Sequence, residues 1–320
     1  MKNVYICRKF IDMEIKRDVL DELYQWKNSR YRKPLVLQGA RQVGKSFALK
    51  QFGAQCFENC CYVNLCCGGM PETIVRYLEN RDWNEVDVVN NQILTAYTLD
   101  FAKHIDSKDI PRLHRLWTNI QEHLAKDDRK FKYAMIEKNA RAREYENAVE
   151  WLVLSGLVNR VFEVNTLRLP LSSCKNSNAF KLYLVDSGLL RTKFRLAPTT
   201  VLQGDRLFTE FKGILTENYV LQSLVRQFGN DIFYWTSGNQ AEIEFMFQHQ
   251  EMIIPVEVKS TFSIKSKSLS EYRKKYLPEL SVRFSLKNVE KNGDLLNLPL
   301  YLADVIRKIL CTFAVEIDIK

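Results

Sequence analysis

Residues Gly39 to Ser46 read G-A-R-Q-V-G-K-S, a complete match to the phosphate-binding pattern G-x4-G-K-[ST]. Its glycines permit backbone conformations that turn successive N–H groups toward a phosphate. We expect Lys45 to reach the β- and γ-phosphates of a nucleotide and Ser46 to bind Mg²⁺ through its hydroxyl. The sequence therefore predicts a loop that binds ATP and Mg²⁺, formed by Gly39, Ala40, Arg41, Gln42, Val43, Gly44, Lys45 and Ser46.

A second group of charged residues lies in the C-terminal third. Residues 241–247 (A-E-I-E-F-M-F) and 253–259 (I-I-P-V-E-V-K) alternate at period two on either side of a polar turn at residues 248–251, which is typical of a β-hairpin. A hairpin centred there has one wholly apolar face, formed by the pairs Phe247–Ile254, Phe245–Val256 and Ile243–Val258. On the other face, Glu244 is expected about 5 Å from Glu257.

Two carboxylates at that separation repel each other, and a divalent cation between them would remove the repulsion. Glu244 and Glu257 are therefore candidate metal ligands, and Glu217 on the preceding predicted helix is a candidate third ligand. Lys259 would polarise a phosphate or a water, and the four residues together form a candidate catalytic site. No His or Cys lies at ligand spacing, so Mg²⁺ or Mn²⁺ fits better than zinc. The alternative is a surface hairpin with solvated glutamates and a Glu242–Lys259 ion pair.

The formal net charge of +9 is concentrated between residues 259 and 291. Nine basic residues there oppose three glutamates, and nine minus three gives this stretch a charge of +6. Such a patch suits a polyanion, so DNA is a candidate partner, with a protein as the other candidate. The alternative is a solvated helix face without a partner.

Five of the eight cysteines are crowded into a short N-terminal segment. A zinc site usually has two C-x2-C-like pairs separated by a longer loop, whereas these adjacent pairs fall in a predicted buried strand and its junction. The pattern favours buried free thiols over a zinc site. The residues are Cys56, Cys60, Cys61, Cys66 and Cys67.

The elements that would position these residues begin as an α/β unit. A strand at residues 34–38 precedes the phosphate loop, a helix at 45–52 follows it, and a second strand is expected at 60–65. Helical patterns then lead to a strand at 158–164, and helices followed by a β-ribbon favour a winged helix. The later elements are a strand at 180–185, a helix at 213–228, strands within 231–260, a basic helix, and a strand at 281–286.

ATP hydrolysis also needs an acidic residue at the end of a hydrophobic strand, where it holds Mg²⁺ and orients water. The candidate is Leu182-Tyr-Leu-Val-Asp186, which lies far downstream of the phosphate loop. We interpret it as a structural strand that ends in a turn. The sequence therefore predicts nucleotide binding with impaired hydrolysis or none.

No stretch approaches the roughly 20 apolar residues that a membrane-spanning helix needs. The N-terminal residues become charged too early for a secretory signal. We therefore expect a cytoplasmic protein without a membrane partner.

Six segments of the chain, in the order in which the family has them, resemble a family of prokaryotic AAA-type P-loop ATPases. Members of that family carry a C-terminal domain of unknown function with a restriction-endonuclease-like, PD-(D/E)xK-type core. They are residues 34–46 (PLVLQGARQVGKS), 68–72 (GGMPE), 141–157 (RAREYENAVEWLVLSGL), 180–190 (FKLYLVDSGLL), 209–221 (TEFKGILTENYVL) and 234–260 (YWTSGNQAEIEFMFQHQEMIIPVEVKS).

The resemblance implies an α/β fold class in four parts. A truncated P-loop nucleotide-binding unit occupies residues 1–67, a helical and winged-helix region 68–200, a restriction-endonuclease-like α/β domain 201–310, and a tail 311–320. In two places the chain departs from the family. The segment with the Walker B residues is missing between Leu65 and Gly68, and Glu244 stands where the family pattern A-E-V-D-F has Asp.

The expected function is thus that of an ATP-binding protein of the AAA-type family in which hydrolysis is impaired or lost. One alternative is a Mg²⁺-dependent nuclease that uses Glu217, Glu244, Glu257 and Lys259. The other is a non-catalytic module that binds nucleic acid or protein.

Overall fold

The computed structural model describes residues 65–126, 128–198, 201, 209–238, 241–261 and 266–317. All of them belong to one compact unit, residues 61–320. The predicted strand at 34–38, the phosphate loop and the helix at 45–52 lie outside the described residues. Leu65, the last residue of the predicted second strand, is helical, as are Cys66 and Cys67.

The helices after this turn alternate with the strands only in the C-terminal half of the chain. In chain order they are α1 (Pro71–Asn80), α2 (Trp83–His104), α3 (Ile110–Leu124), α4 (Ala142–Leu154), α5 (Ser187–Lys193), α6 (Thr209–Phe228), α7 (Lys267–Tyr276) and α8 (Ile306–Ile317), with short 3₁₀ turns at Tyr133–Met135, Leu171–Cys174 and Leu300–Val305.

The strands of the described residues form one mixed sheet with eight strands, in the order β2-β1-β3-β4-β5-β6-β8-β7. The molecule is therefore mixed α/β, as the sequence predicts. The strands are β1 (Val158–Val164), β2 (Lys175–Leu184), β3 (Ile232–Thr236), β4 (Glu242–His249), β5 (Met252–Val258), β6 (Ser281–Ser285), β7 (Glu290–Asn292) and β8 (Leu295–Pro299).

Strand directions divide the sheet into antiparallel and parallel parts. β3, β4 and β5 are antiparallel neighbours, while β5, β6 and β8 run parallel to one another. Helix α7 lies between β5 and β6 in the chain, as a parallel connection requires. The pair β1–β2 is antiparallel and follows α3 and α4, as the winged-helix interpretation expects. However, β1 also pairs in parallel with β3, so this ribbon is part of the large sheet.

Two apolar cores lie against the sheet. The larger one contains Phe245 and Phe247 of β4 together with residues of α3, α4 and α6. The smaller one contains Met246 of β4, together with Leu269 and Tyr272 of α7. Because successive strand residues point to opposite faces, the cores lie on the two sides of the sheet. No helix among the described residues has the length and apolar character that crossing a membrane requires.

Candidate functional site

The predicted nucleotide site, Gly39 to Ser46, lies outside the described residues. The predicted carboxylate site, in contrast, lies wholly within them. It is formed where α6 and the strands β4, β5 and β6 come together, and its four predicted members are Glu217, Glu244, Glu257 and Lys259.

The hairpin register agrees with the sequence prediction up to the site itself. Phe247 pairs with Ile254 and Phe245 with Val256, and both pairs are buried. The turn is tighter than predicted, because His249 already pairs with Met252. The ladder ends at Phe245–Val256, so Glu244 and Glu257 are not a ladder pair as predicted.

A β-bulge is the reason for this difference. On the other edge of β4, Met246 pairs with Phe233 and Ile243 pairs with Trp235. Two residues of β4, Glu244 and Phe245, therefore lie opposite one residue of β3. A bulge of this kind interrupts the alternation of side chains and re-aims those at the bulge. It places Glu244 close enough to Glu217 of α6 for their charges to interact.

Lys259 joins the two hairpin carboxylates. Its Nζ lies 3.3 Å from Oε1 of Glu257 and 3.9 Å from Oε1 of Glu244. The prediction that Lys259 points to the side of Glu257 is confirmed. The alternative Glu242–Lys259 ion pair is wrong, because Glu242 pairs with the fully buried Lys181 of β2.

Glu257 has a second cationic partner. The parallel ladder of β5 and β6 places Arg283 beside Glu257, and the Arg283 Nε donates to Glu257 Oε2 at 2.6 Å. Both side chains are more than nine-tenths buried. Arg283 belongs to the basic stretch of the sequence, but the sequence does not indicate that this residue forms an internal ion pair.

Glu217 is also engaged. Arg129, in the loop after α3, forms an ion pair with Glu217 Oε2. The Tyr183 hydroxyl, from β2, donates to the same oxygen at 3.5 Å. Burial raises the pKa of Tyr183 well above its usual value, and the charge of Glu217 adds to the rise, so this hydroxyl keeps its proton. Sequence reasoning missed Arg129 and Tyr183, because neither belongs to a motif and both come from distant parts of the chain.

The buried carboxyl group of Glu244 is strongly affected by its surroundings. Burial, together with the charge of Glu217, raises the pKa of Glu244 to about 8, although Lys259 opposes the rise. One carboxyl oxygen, Glu244 Oε2, is buried and has no hydrogen-bond partner among the described residues. Below pH 8 the neutral form of Glu244 therefore predominates.

These residues do not fit a divalent cation in the arrangement that the structure shows. Three carboxyl groups face three cationic groups, Arg129, Lys259 and Arg283. A divalent ion would add two positive charges to a cluster whose three cations already neutralise all three carboxylates when these are ionised, and already exceed them by one charge when Glu244 is protonated. Among the described residues, no group of three or more His, Cys, Asp or Glu side chains is arranged to hold a metal ion.

The segment that ends at Asp186 has a structural role, as expected, but it leads into helix α5 and not into a turn. Asp186 caps α5 by accepting from the Leu189 N–H, at 2.9 Å, through Oδ1. Its other oxygen, Oδ2, accepts from the Gly69 N–H. Both oxygens of this buried carboxylate are thus used by the backbone, and neither is free to hold Mg²⁺.

The described cysteines of the N-terminal group are free thiols. Cys66 and Cys67 are both fully buried. Burial raises the pKa of each thiol to about 12, which keeps them protonated. A protonated thiol is a poor metal ligand, in agreement with the interpretation as buried thiols. Cys56, Cys60 and Cys61 lie outside the described residues.

The basic stretch is partly used inside the molecule. Lys259 and Arg283 belong to the carboxylate cluster, and Arg273 Nε donates to Asp294 Oδ2 at 2.6 Å. On the surface of α7, Lys267, Lys274 and Lys275 are exposed. The surface available to a polyanion is therefore less basic than the sequence count indicates.

Comparisons with known proteins find two domains of unknown function and no named relative. Residues 63–200 match a domain of unknown function, DUF8612, and residues 212–301 match another, DUF4143. DUF4143 is found in a region that is often associated with AAA-like ATPase proteins. No curated protein and no solved structure matches the chain.

Proposed function

We propose that this chain binds ATP with Mg²⁺ through the loop Gly39–Ser46 and has little or no capacity to hydrolyse it. The observation that carries the proposal is the complete G-x4-G-K-S pattern between a predicted strand and a predicted helix. The DUF4143 match supports it, because this domain is often associated with AAA-like ATPases. We infer that the chain is a shortened relative of such ATPases with a restriction-endonuclease-like C-terminal region.

The absence of turnover follows from the sequence around the loop. Between the loop and Gly68 the sequence predicts only the helix at 45–52 and the strand at 60–65, which leaves no room for a further acidic strand. The downstream candidate, Asp186, gives both carboxylate oxygens to backbone N–H groups. Without an acidic residue that holds Mg²⁺ and orients water, bound ATP is expected to persist.

The test is calorimetric titration of the full chain with ATP·Mg²⁺. Wild type is expected to bind, and Lys45→Ala to lose at least about tenfold in affinity, because the lysine that neutralises the terminal phosphates is gone. Lys50→Ala removes a lysine outside the pattern and is the matched control. A phosphate-release assay is expected to stay at background. If intact wild type binds neither ATP nor ADP, the proposal fails.

Cleavage of nucleic acid is not part of the proposal. The sequence assigns Glu217, Glu244, Glu257 and Lys259 to a metal-dependent nuclease site, and the structure brings these residues together. However, the three internal cations already neutralise the ionised carboxylates without a metal. Nuclease activity therefore stays a prediction of the sequence, and so does DNA binding by the basic surface of α7.

A further inference from the structure

The carboxylate cluster receives one of its three cations from a different region of the chain. Lys259 and Arg283 belong to the DUF4143 match, as the carboxylates themselves do. Arg129 lies within the DUF8612 match, in the loop between α3 and the 3₁₀ turn at Tyr133–Met135. Its backbone φ of +47° lies in the left-handed region, which residues other than glycine adopt only at an energetic cost.

The contacts of Arg129 compensate for that cost. Its side chain is four-fifths buried, and its guanidinium forms an ion pair with Glu217, whose side chain is 6% exposed. Glu244 is also close enough to Arg129 for its negative charge, when ionised, to favour the charged guanidinium. A buried carboxylate without a cation would be strongly unfavourable, so some positive charge is required at this position.

The cluster still contains polar atoms that are not satisfied from within. Oε2 of Glu244 and Nε of Arg129 are both buried, and neither has a hydrogen-bond partner in the part of the chain that the structure describes. An orphaned carboxyl oxygen next to two further carboxylates is suitable for a hard cation, since Mg²⁺ and Mn²⁺ prefer oxygen ligands. The carboxylate oxygens of a metal site are thus present, while Arg129 supplies the positive charge that a metal ion would otherwise supply.

We propose that Arg129 is the resident cation of this site and that its guanidinium excludes divalent metal ions from Glu217, Glu244 and Glu257. The region that matches DUF8612 thereby supplies a cation to a site whose carboxylates all belong to the region that matches DUF4143. This inference does not depend on nucleotide binding. It explains why residues with metal-ligand chemistry are brought together in a cluster that does not fit a metal.

The experiment removes the charge of Arg129 in the full chain without nucleotide. Arg129→Gln is expected to lower Tm, to bind Mn²⁺ in a titration followed by electron paramagnetic resonance, and to regain part of the lost Tm in millimolar Mn²⁺. Wild type and Arg129→Lys, which keeps the charge, are expected to exclude Mn²⁺. Arg112→Gln, which breaks the Arg112–Asp109 ion pair on α3, is the matched control and is expected to gain no Mn²⁺.

Assignment to the site comes from a second substitution. Arg129→Gln combined with Glu217→Gln is expected to lose the Mn²⁺ that the single variant gains. Two results would overturn the proposal: Mn²⁺ binding by wild type that Glu244→Gln abolishes, or an Arg129→Gln variant that is destabilised and gains no Mn²⁺. If Arg129→Gln does not fold, it is refolded from denaturant with and without Mn²⁺. Recovery in Mn²⁺ alone supports the proposal, and failure under both conditions contradicts it.

Discussion

In the described part of the chain, cationic side chains that are largely removed from water have one of two kinds of nearby partner, a carboxylate or an aromatic ring. Lys181 and Arg191 are almost fully buried, and each has a carboxylate partner, Glu242 and Asp87 respectively. Lys193, at the end of α5, instead has its Nζ 4.5 Å from the ring centroid of Trp117. An aromatic face offsets only part of the cost of removing an ammonium group from water. Burial accordingly lowers the pKa of Lys193 to about 8.

This lowered pKa predicts a pH dependence of stability. Folded Lys193 releases its proton near pH 8, whereas the unfolded chain holds it up to its usual pKa of 10.5. The unfolded state therefore binds more protons in this interval, and the penalty of burying the charge, present in full below pH 8, is relieved as pH rises toward 10.5. Lys193→Met is expected to remove this rise, which amounts to about 1–3 kcal/mol.

Urea unfolding of wild type and Lys193→Met between pH 7 and the upper end of that window measures the effect as a difference, which cancels the titration of other groups. Lys126→Met, at an exposed lysine after α3, is the control and is expected to follow wild type. Parallel curves for wild type and Lys193→Met would show that the ammonium group is not desolvated in the folded protein.

At the scale of elements, what the sequence predicts correctly is local. The hairpin β4–β5 was predictable because strict alternation around a polar turn specifies both the pairing and the buried face. The bulge at Glu244 and Phe245 was not, because the alternation A-E-I-E-F-M-F is unbroken in the sequence. It arises from pairing with β3, and a partner strand leaves no trace in a local pattern. The role of Arg129 is likewise set by long-range packing.

Helix α5 depends on one close approach that can be tested. Gly188, in its first turn, lies against the backbone of Cys67 and Gly68, and a Cβ there would overlap the Cys67 carbonyl. Because the obstacle is backbone that cannot rotate away, Gly188→Ala is expected to cost about 2–4 kcal/mol. Gly156 has a φ of +74° and open space around it, so Gly156→Ala is expected to cost only about 1 kcal/mol.

The two variants are compared by urea denaturation, with the midpoint and slope measured for each. The order of their costs separates steric overlap from backbone strain. A larger loss of stability in Gly156→Ala than in Gly188→Ala would mean that α5 does not pack this tightly against the segment at Cys67.

At the scale of the whole described molecule, the two matched regions share their structure. β1, within residues 63–200, pairs in parallel with β3, within residues 212–301. The larger core likewise combines residues from both, including Leu182 of β2 and Phe245 of β4. The boundary at 200/201 came from the resemblance to a family, and a resemblance of separate segments carries no information about strands that pair across the boundary.

A shared sheet and core predict that both regions unfold in one cooperative step. Leu182, 2% exposed, belongs to the N-terminal region, and Leu182→Ala is expected to cost about 2–5 kcal/mol through the cavity it leaves. If unfolding is shared, hydrogen exchange followed by mass spectrometry will show the same loss of protection in β4 and β5 as in β1 and β2, because the slowest amides of all four strands exchange through the same global opening.

Leu154→Ala, at a leucine that is 83% exposed, is the control and is expected to leave both regions unchanged. A loss of protection confined to residues before 200 would instead show that the C-terminal strands fold without the support of β1, and that the boundary predicted from the sequence divides two independent domains.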